Sequence, residues 1–112
     1  MECIKNIDFS KALEMGELVS YQEGQVVSRT ISQGKGVSVT LFAFDKNEEI
    51  SSHASTGDAM VYIIDGSSEV TIGEEKHFVK AGEVIVMPKN VPHALLAKEK
   101  FKMLLIVVFP LS

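Results

Sequence analysis

The sequence has very few of the residues that define several large classes of protein. It contains no Trp, one cysteine (Cys3) and one arginine (Arg29). A single cysteine excludes an intramolecular disulfide framework and any zinc cluster built on cysteines. Its 11 basic residues are outnumbered by 15 acidic ones, giving a net charge of −4. Nucleic-acid-binding proteins usually carry a basic stripe rich in arginine, so we expect no nucleic-acid partner.

Long apolar runs are also missing. The longest, Met103 to Phe109, is far short of the roughly 20 residues that a membrane-spanning helix needs. The N-terminal residues lack the apolar stretch of a signal peptide. We therefore expect no membrane partner and a cytoplasmic location. A length of 112 residues predicts a single domain, residues 1–112.

β-branched aliphatic residues are abundant: 13 Val and 9 Ile favour strands over helices. Short strand patterns alternate with turns rich in Gly and Asn, which indicates an all-β sandwich or barrel. One short helix is predicted from Asp8 to Gly16. The predicted strands are Leu18–Tyr21, Val26–Ile31, Val37–Asp45, Met60–Asp65, Glu69–Gly73, Lys76–Lys80, Val84–Met87, Val91–Lys98 and Phe101–Phe109.

Two segments around histidines carry the most specific signal. In the first, Asn47 precedes His53 by five intervening residues, and a predicted strand closes at Gly66. In the second, Gly82-x5-Pro88-x-Asn90-x2-His93 has the same kind of spacing. Both segments resemble the two motifs of the cupin superfamily, with Asn where a motif glycine is usual. The resemblance implies a cupin-type double-stranded β-helix, the jelly-roll barrel of RmlC-like proteins, with one short N-terminal helix.

The resemblance implies a degenerate metal site. Metal-binding cupins use two His in H-x-H, a Glu or Gln, and the His of the second motif. Here His53 and His93 match, but Ser55 and Ala59 occupy the other two positions. Stable binding of a divalent ion normally takes three or four protein ligands. We therefore name no firm cofactor and expect at most a weakly bound Ni, Zn, Fe or Mn ion.

The same barrel implies a ligand pocket lined by His53, Ser55, Ala59, Val61 and His93. An apolar cavity with a few convergent polar groups suits a small molecule, so the first hypothesis is a protein that binds or senses one without turnover. The second is a cupin enzyme: a metal-dependent oxygenase or isomerase, or a metal-free isomerase that uses His53 and His93 for acid–base chemistry. The third is an accessory subunit with a vestigial pocket. His77 is expected on the surface.

Two predicted strands, Val84–Met87 and Met103–Phe109, are apolar on both faces. In addition, Met60, Tyr62 and Ile64 lie on the face opposite Ala59, Val61 and Ile63. One face can fill the barrel, and the other would leave an apolar patch larger than monomers usually expose. The sequence therefore predicts a homodimer.

Overall fold

The computed structural model describes residues 3–111 as an all-β barrel of eight strands, and a short 3-10 turn at Met15–Glu17 precedes them. Within that range no helix is long and apolar enough to cross a membrane. The strands are β1 (Val26–Gln33), β2 (Val37–Phe44), β3 (Glu49–His53), β4 (Asp58–Ile72), β5 (Glu75–Lys80), β6 (Val84–Met87), β7 (His93–Leu96) and β8 (Phe101–Val108).

The strands form two antiparallel sheets. The first sheet has the order β1-β2-β8-β4-β6, and in the second β4 pairs with β5 and β7 while β7 pairs with β3. Strand β4 therefore belongs to both sheets. It is 15 residues long and passes from one sheet to the other near its middle.

A bulge at Ile64, followed two residues later by Gly66, allows β4 to change sheets. The register of β4 against β8 shifts between Ile63 and Asp65, and Gly66 has φ of +72°, a left-handed conformation that favours glycine. A Cβ atom at this position would overlap the carbonyl oxygen of Lys100. The two strands predicted here, Met60–Asp65 and Glu69–Gly73, are therefore one continuous strand. The residues predicted as a turn between them lie inside β4, next to the bulge.

Alternate side chains of each strand fill the space between the sheets. Ala59, Val61 and Ile63 of β4 are at most 2% exposed. At the level of the bulge, Phe101 lies opposite Gly66, and its ring stacks on Phe44 with 4.3 Å between ring centroids. Both rings are fully buried. This aromatic pair closes one end of the barrel.

A second, smaller core lies on the outer face of the first sheet. The segment that precedes β1 packs Ile7, Leu18 and Tyr21 over this face. The residues it buries there are Val19, Ile31, Leu41 and Ala43. The N-terminal segment thus covers part of the outer face of the sheet, although it contains almost no regular structure.

The prediction of a helix from Asp8 to Gly16 is wrong, because only Met15–Glu17 turns, and as a 3-10 turn. Ser10 has a positive φ of 57°, which does not fit a right-handed helix, so no α-helix runs through this residue. Helices this short are marginal without packing. The predicted strand Leu18–Tyr21 is also wrong, since it pairs with no strand. Conversely, β3 was not predicted, because its residues do not alternate between apolar and polar.

Candidate functional site

Two asparagine turns introduce the histidines. Asn47 precedes β3, which ends at His53, and Asn90 precedes β7, which begins at His93. Both asparagines have positive φ, 75° and 62°. Among residues with a side chain, Asn adopts this left-handed conformation comparatively easily. This explains how Asn occupies positions where the motif usually has glycine.

The two imidazoles meet at the end of the barrel opposite the aromatic pair. His53 lies directly opposite His93 in the β3–β7 pair, and His93 lies opposite Ile72 of β4. The ring centroids are 4.4 Å apart with an angle of 71° between the planes. Ile72 follows Gly66 by six residues, so at roughly 3.3 Å per residue the pair lies about 20 Å along the strand from Gly66. His93 is 3% exposed, whereas His53 is exposed.

Backbone carbonyls orient both rings in the same way. Nδ1 of His53 lies 3.1 Å from the carbonyl oxygen of Ser51, and Nδ1 of His93 lies 3.3 Å from that of Val91. A carbonyl oxygen only accepts hydrogen bonds, so each Nδ1 is the donor and carries the hydrogen. In the neutral rings, Nε2 is therefore left as an acceptor. The site presents two acceptor nitrogens side by side.

The environment of His93 favours its neutral form. Burial is the main cause that lowers the pKa of His93, and repulsion from a charged His53 lowers it further, whereas the hydrogen bond to Val91 opposes the shift. Desolvation and a neighbouring cation both disfavour a second positive charge. The buried imidazole is accordingly held ready to accept a hydrogen bond at neutral pH.

Hydrogen bonds join the two loops that carry the histidines. The backbone N–H of Asn90 donates to the carbonyl oxygen of Ser55 at 2.7 Å. Beside it, the N–H of Lys89 donates to the Asp58 carboxylate at 2.9 Å. These bonds link the segment after β3 to the segment before β7. The relative position of the imidazoles is thus set by the backbone.

The other predicted pocket residues occupy different environments. Ala59 and Val61 point inward but are 2% and 0% exposed within the barrel core, so they underlie the site. Ser55 is half-buried, and its hydroxyl accepts a hydrogen bond from the N–H of Gly57 at 3.1 Å. His77, expected on the surface, is half-buried instead. The reason is its register, because it lies opposite the inward-pointing Val70.

These residues do not fit the four-ligand metal set that the resemblance implies. Within residues 3–111, no three His, Cys, Asp or Glu side chains come together in a way that could hold a metal ion. The Ala59 side chain has no donor atom, and the Ser55 hydroxyl already has a partner. Asp58 binds the loop through Lys89. The two imidazoles are the metal-ligating side chains that this site contributes.

A row of hydroxyls on β1 and β2 was missed by the sequence analysis. Thr30 lies opposite Thr40, which lies opposite Leu105, which in turn lies opposite the inward-pointing Val61. Residues directly opposite one another share a face of the sheet, so these hydroxyls point into the barrel. The same register places Ser38, which is half-buried, and Ser28, which is exposed at the sheet edge, on this face. The signal was the alternation of hydroxyl residues in Ser28-x-Thr30 and Ser38-x-Thr40.

Two antiparallel sheets that share one strand, with the two imidazoles where β3 pairs with β7, define the class of protein: a jelly-roll barrel of the cupin superfamily. The cupin domain family matches residues 40–109, and the chain belongs to this family. The predicted resemblance and fold are thereby confirmed.

Solved structures agree with this assignment. A conserved protein of unknown function from Streptococcus pyogenes is 45% identical, with a TM-score of 0.97 over 100% of this chain and 98% of that one. A cupin superfamily protein from Desulfitobacterium hafniense is 29% identical, with a TM-score of 0.91 over 96% and 98% of the two chains. An RmlC-like cupin from Shewanella frigidimarina, 16% identical, shares the fold with a TM-score of 0.72 over 92% and 95%. No curated protein matches the chain.

Proposed function

We propose that this cupin binds a small neutral molecule at the imidazole pair, without turning it over. The proposal rests on the pair of imidazoles, because the Nδ1 atom of each ring faces a backbone carbonyl. Their Nε2 atoms are left to accept hydrogen bonds from a ligand. Ala59 and Val61 belong to the packed apolar core beneath the pair, so the ligand would lie at the imidazoles above this core and not enter it. This combination is typical of small-molecule sites.

The polar groups of the site favour a ligand with O–H or N–H donors. Two acceptor nitrogens are best satisfied by donors, such as the O–H or N–H groups of a ligand. Phosphates and other strong anions are disfavoured because the single arginine lies elsewhere. Arg29 is opposite Leu41 on the outer face and donates to the carbonyl oxygen of Asn6 at 3.2 Å. The ligand class is therefore a neutral alcohol, phenol or amide.

We also propose that a divalent metal ion, if offered, is held weakly. Two imidazoles are fewer than the three or four protein ligands that stable sites use. Binding of the neutral ligand then needs no metal, and protein treated with a chelator should bind it equally well.

Acid–base isomerisation is a second candidate, and one observation favours it. The two imidazoles lie in contrasting environments, with His93 buried at a lowered pKa and His53 exposed. Paired groups whose environments separate their proton affinities are suited to act as acid and base. Turnover of a bound molecule that stops when either histidine is replaced would favour this candidate over simple binding.

Ligand-observed NMR with a fragment library tests the proposal. The library should contain neutral alcohols, phenols and amides together with matched carboxylates and phosphates. We expect hits among the neutral donors, lost in His53→Ala and in His93→Phe. His77→Ala is the matched control, because His77 lies on β5, which β4 separates from the strand of His93, and this variant should retain the hits.

Two results would overturn the proposal. One is a set of hits dominated by phosphates and carboxylates. The other is neutral hits that bind His53→Ala and His93→Phe as well as they bind the parent protein. A ¹⁵N spectrum of the imidazoles provides a separate check, since both rings should carry their hydrogen on Nδ1 in the free protein at neutral pH.

A further inference from the structure

A small cavity lies between the N-terminal segment and strand β1. It has a volume of about 260 Å³, and its walls come from residues 17–22 of that segment and residues 27–29 of β1. The imidazole pair belongs to the second sheet, where β3 pairs with β7, whereas β1 belongs to the first sheet. Sites for drug-sized ligands usually measure about 300–1,000 Å³, so this cavity suits a smaller molecule.

The single arginine of the chain lines this cavity. Arg29 is half-buried on the outer face of β1, opposite Leu41. Its Nη1 atom donates to the carbonyl oxygen of Asn6 at 3.2 Å, and the side-chain amide of Asn6 donates to the carbonyl oxygen of Thr30 at 2.8 Å. These bonds hold the guanidinium beside the cavity. A guanidinium has five N–H donors, so the others remain for a ligand.

A carboxylate lines the same cavity without pairing with the arginine. Glu17 is the last residue of the Met15–Glu17 turn, and its side chain is exposed. Three ion pairs occur among residues 3–111, and neither Glu17 nor Arg29 belongs to any of them. A cation and an anion that line one cavity without contacting each other can both be satisfied by one molecule that carries both charges.

We propose that this cavity binds a small zwitterion, an amino acid with a short side chain. The guanidinium of Arg29 binds the carboxylate of the ligand, because its planar fork matches a carboxylate with two parallel hydrogen bonds. The carboxylate of Glu17 accepts hydrogen bonds from the ammonium group, which has only donors. Leu18 and Val27 are half-buried and also line the cavity, so they provide an apolar wall for a short aliphatic group.

The two opposite charges of the cavity disfavour ligands with a charge of one sign. A phosphate or a simple carboxylate is attracted by Arg29 and repelled by Glu17, and a simple amine experiences the reverse. A zwitterion avoids both repulsions. The chemistry also differs from that of the imidazole pair, which offers two neutral acceptors to a neutral ligand. This site therefore does not depend on the function proposed above.

An NMR titration of the ¹⁵N-labelled full chain tests the proposal with L-alanine, propionate and ethylamine. Propionate lacks the ammonium group of alanine, and ethylamine lacks its carboxylate. Alanine should cause saturable shifts at residues 17–22 and 27–29 and leave the signals of His53 and His93 unchanged. A hydrogen bond to a charged group is worth about tenfold in affinity or more, so propionate and ethylamine should each bind at least that much more weakly.

Substitutions separate the roles of the two charged residues. Arg29→Gln should abolish saturable binding, and Arg29→Lys, which keeps the charge without the planar fork, should weaken it about tenfold. Glu17→Gln should weaken alanine by a similar factor but not weaken propionate, which has no ammonium group. Glu23→Gln is the matched control, because Glu23 is an exposed carboxylate of the same segment that does not line the cavity. Thermal unfolding checks that each variant is folded.

Four results would overturn the proposal. The first is alanine that causes no saturable shift at the cavity residues. The second is propionate that binds the parent protein as tightly as alanine does. The third is a folded Arg29→Gln protein that binds alanine as the parent does. The fourth is a Glu23→Gln protein that loses as much affinity for alanine as Glu17→Gln.

Discussion

Gly66→Ala is a sharp test of how β4 connects the two sheets. The substitution has two separable costs. The first is conformational, because Gly66 has φ of +72° and the left-handed region costs a residue with a Cβ about 1–2 kcal/mol. The second is steric, since the new Cβ would overlap the carbonyl oxygen of Lys100. Backbone shifts of the kind that relieve overpacking cost about 1–3 kcal/mol.

Together these costs predict a loss of about 3 kcal/mol in the free energy of unfolding, a large share of the 5–15 kcal/mol typical of a domain. Urea denaturation followed by circular dichroism measures it. Gly24→Ala is the control, because Gly24 has φ of +68° with nothing within 4 Å of the added Cβ. This control should lose about 1 kcal/mol, the conformational cost alone.

The difference between the two variants isolates the contact with Lys100. If Gly66→Ala and Gly24→Ala lost equal amounts of free energy of unfolding, the close approach of Gly66 to Lys100 would not constrain the chain. The reasoning that the bulge holds β4 in both sheets would then be refuted. A Gly66→Ala protein as stable as the parent would refute the conformational argument as well.

Two further predictions concern the imidazole pair. Ser55→His with Ala59→Glu should bind about one Ni²⁺ or Zn²⁺ per chain, since three imidazoles and a carboxylate suit first-row divalent ions. Because Ala59 is 2% exposed, the new carboxylate should lower the stability of the metal-free variant, and added metal should raise its melting temperature. His93→Ala in that background should abolish the gain, and a parent protein that retains stoichiometric metal on dialysis would contradict the degenerate-site reasoning. The pKa of His93 is lower in the folded protein than the ordinary histidine pKa near 6.5 that it has in the unfolded chain. As the pH drops below about 6.5, the unfolded chain therefore binds more protons than the folded one. The free energy of unfolding should therefore fall as the pH drops below that value, and His93→Gln should flatten this part of the profile; an unchanged slope would show that His93 does not titrate differently on folding.

The sequence alone predicts the features that depend only on residues close together in the chain. Asn47 and Asn90 were placed at turns and have the left-handed backbone that turns require. The alternation of Ala59, Val61 and Ile63 correctly assigned their inward face. The continuity of β4 was not predictable, because a glycine that permits a bulge and a glycine that ends a strand give the same local signal.

Long-range pairing accounts for the remaining differences. β3 pairs with β7 although β4, β5 and β6 lie between them in the chain, and nothing in the residues of β3 predicts that partner. The hydroxyls of Thr30 and Thr40 face each other only because β1 and β2 are in this particular register. A one-residue shift would turn both hydroxyls to the other face. Register is a property of the assembled sheets, so a pattern within one strand cannot determine it.

The geometry of the imidazole pair is maintained by the chain's own hydrogen bonds. Each Nδ1 faces the carbonyl oxygen two residues earlier, and Asn90 and Lys89 join the loop before β7 to the segment after β3. If the proposed ligand binds, a site arranged in this way would lose little entropy, which would favour affinity. These hydrogen bonds also explain how the imidazole pair stays organised with Ser55 and Ala59 at the two positions where metal-binding cupins have metal ligands. In this barrel the backbone positions the two imidazoles without a coordinated ion, so the ligand binding proposed above would not require one.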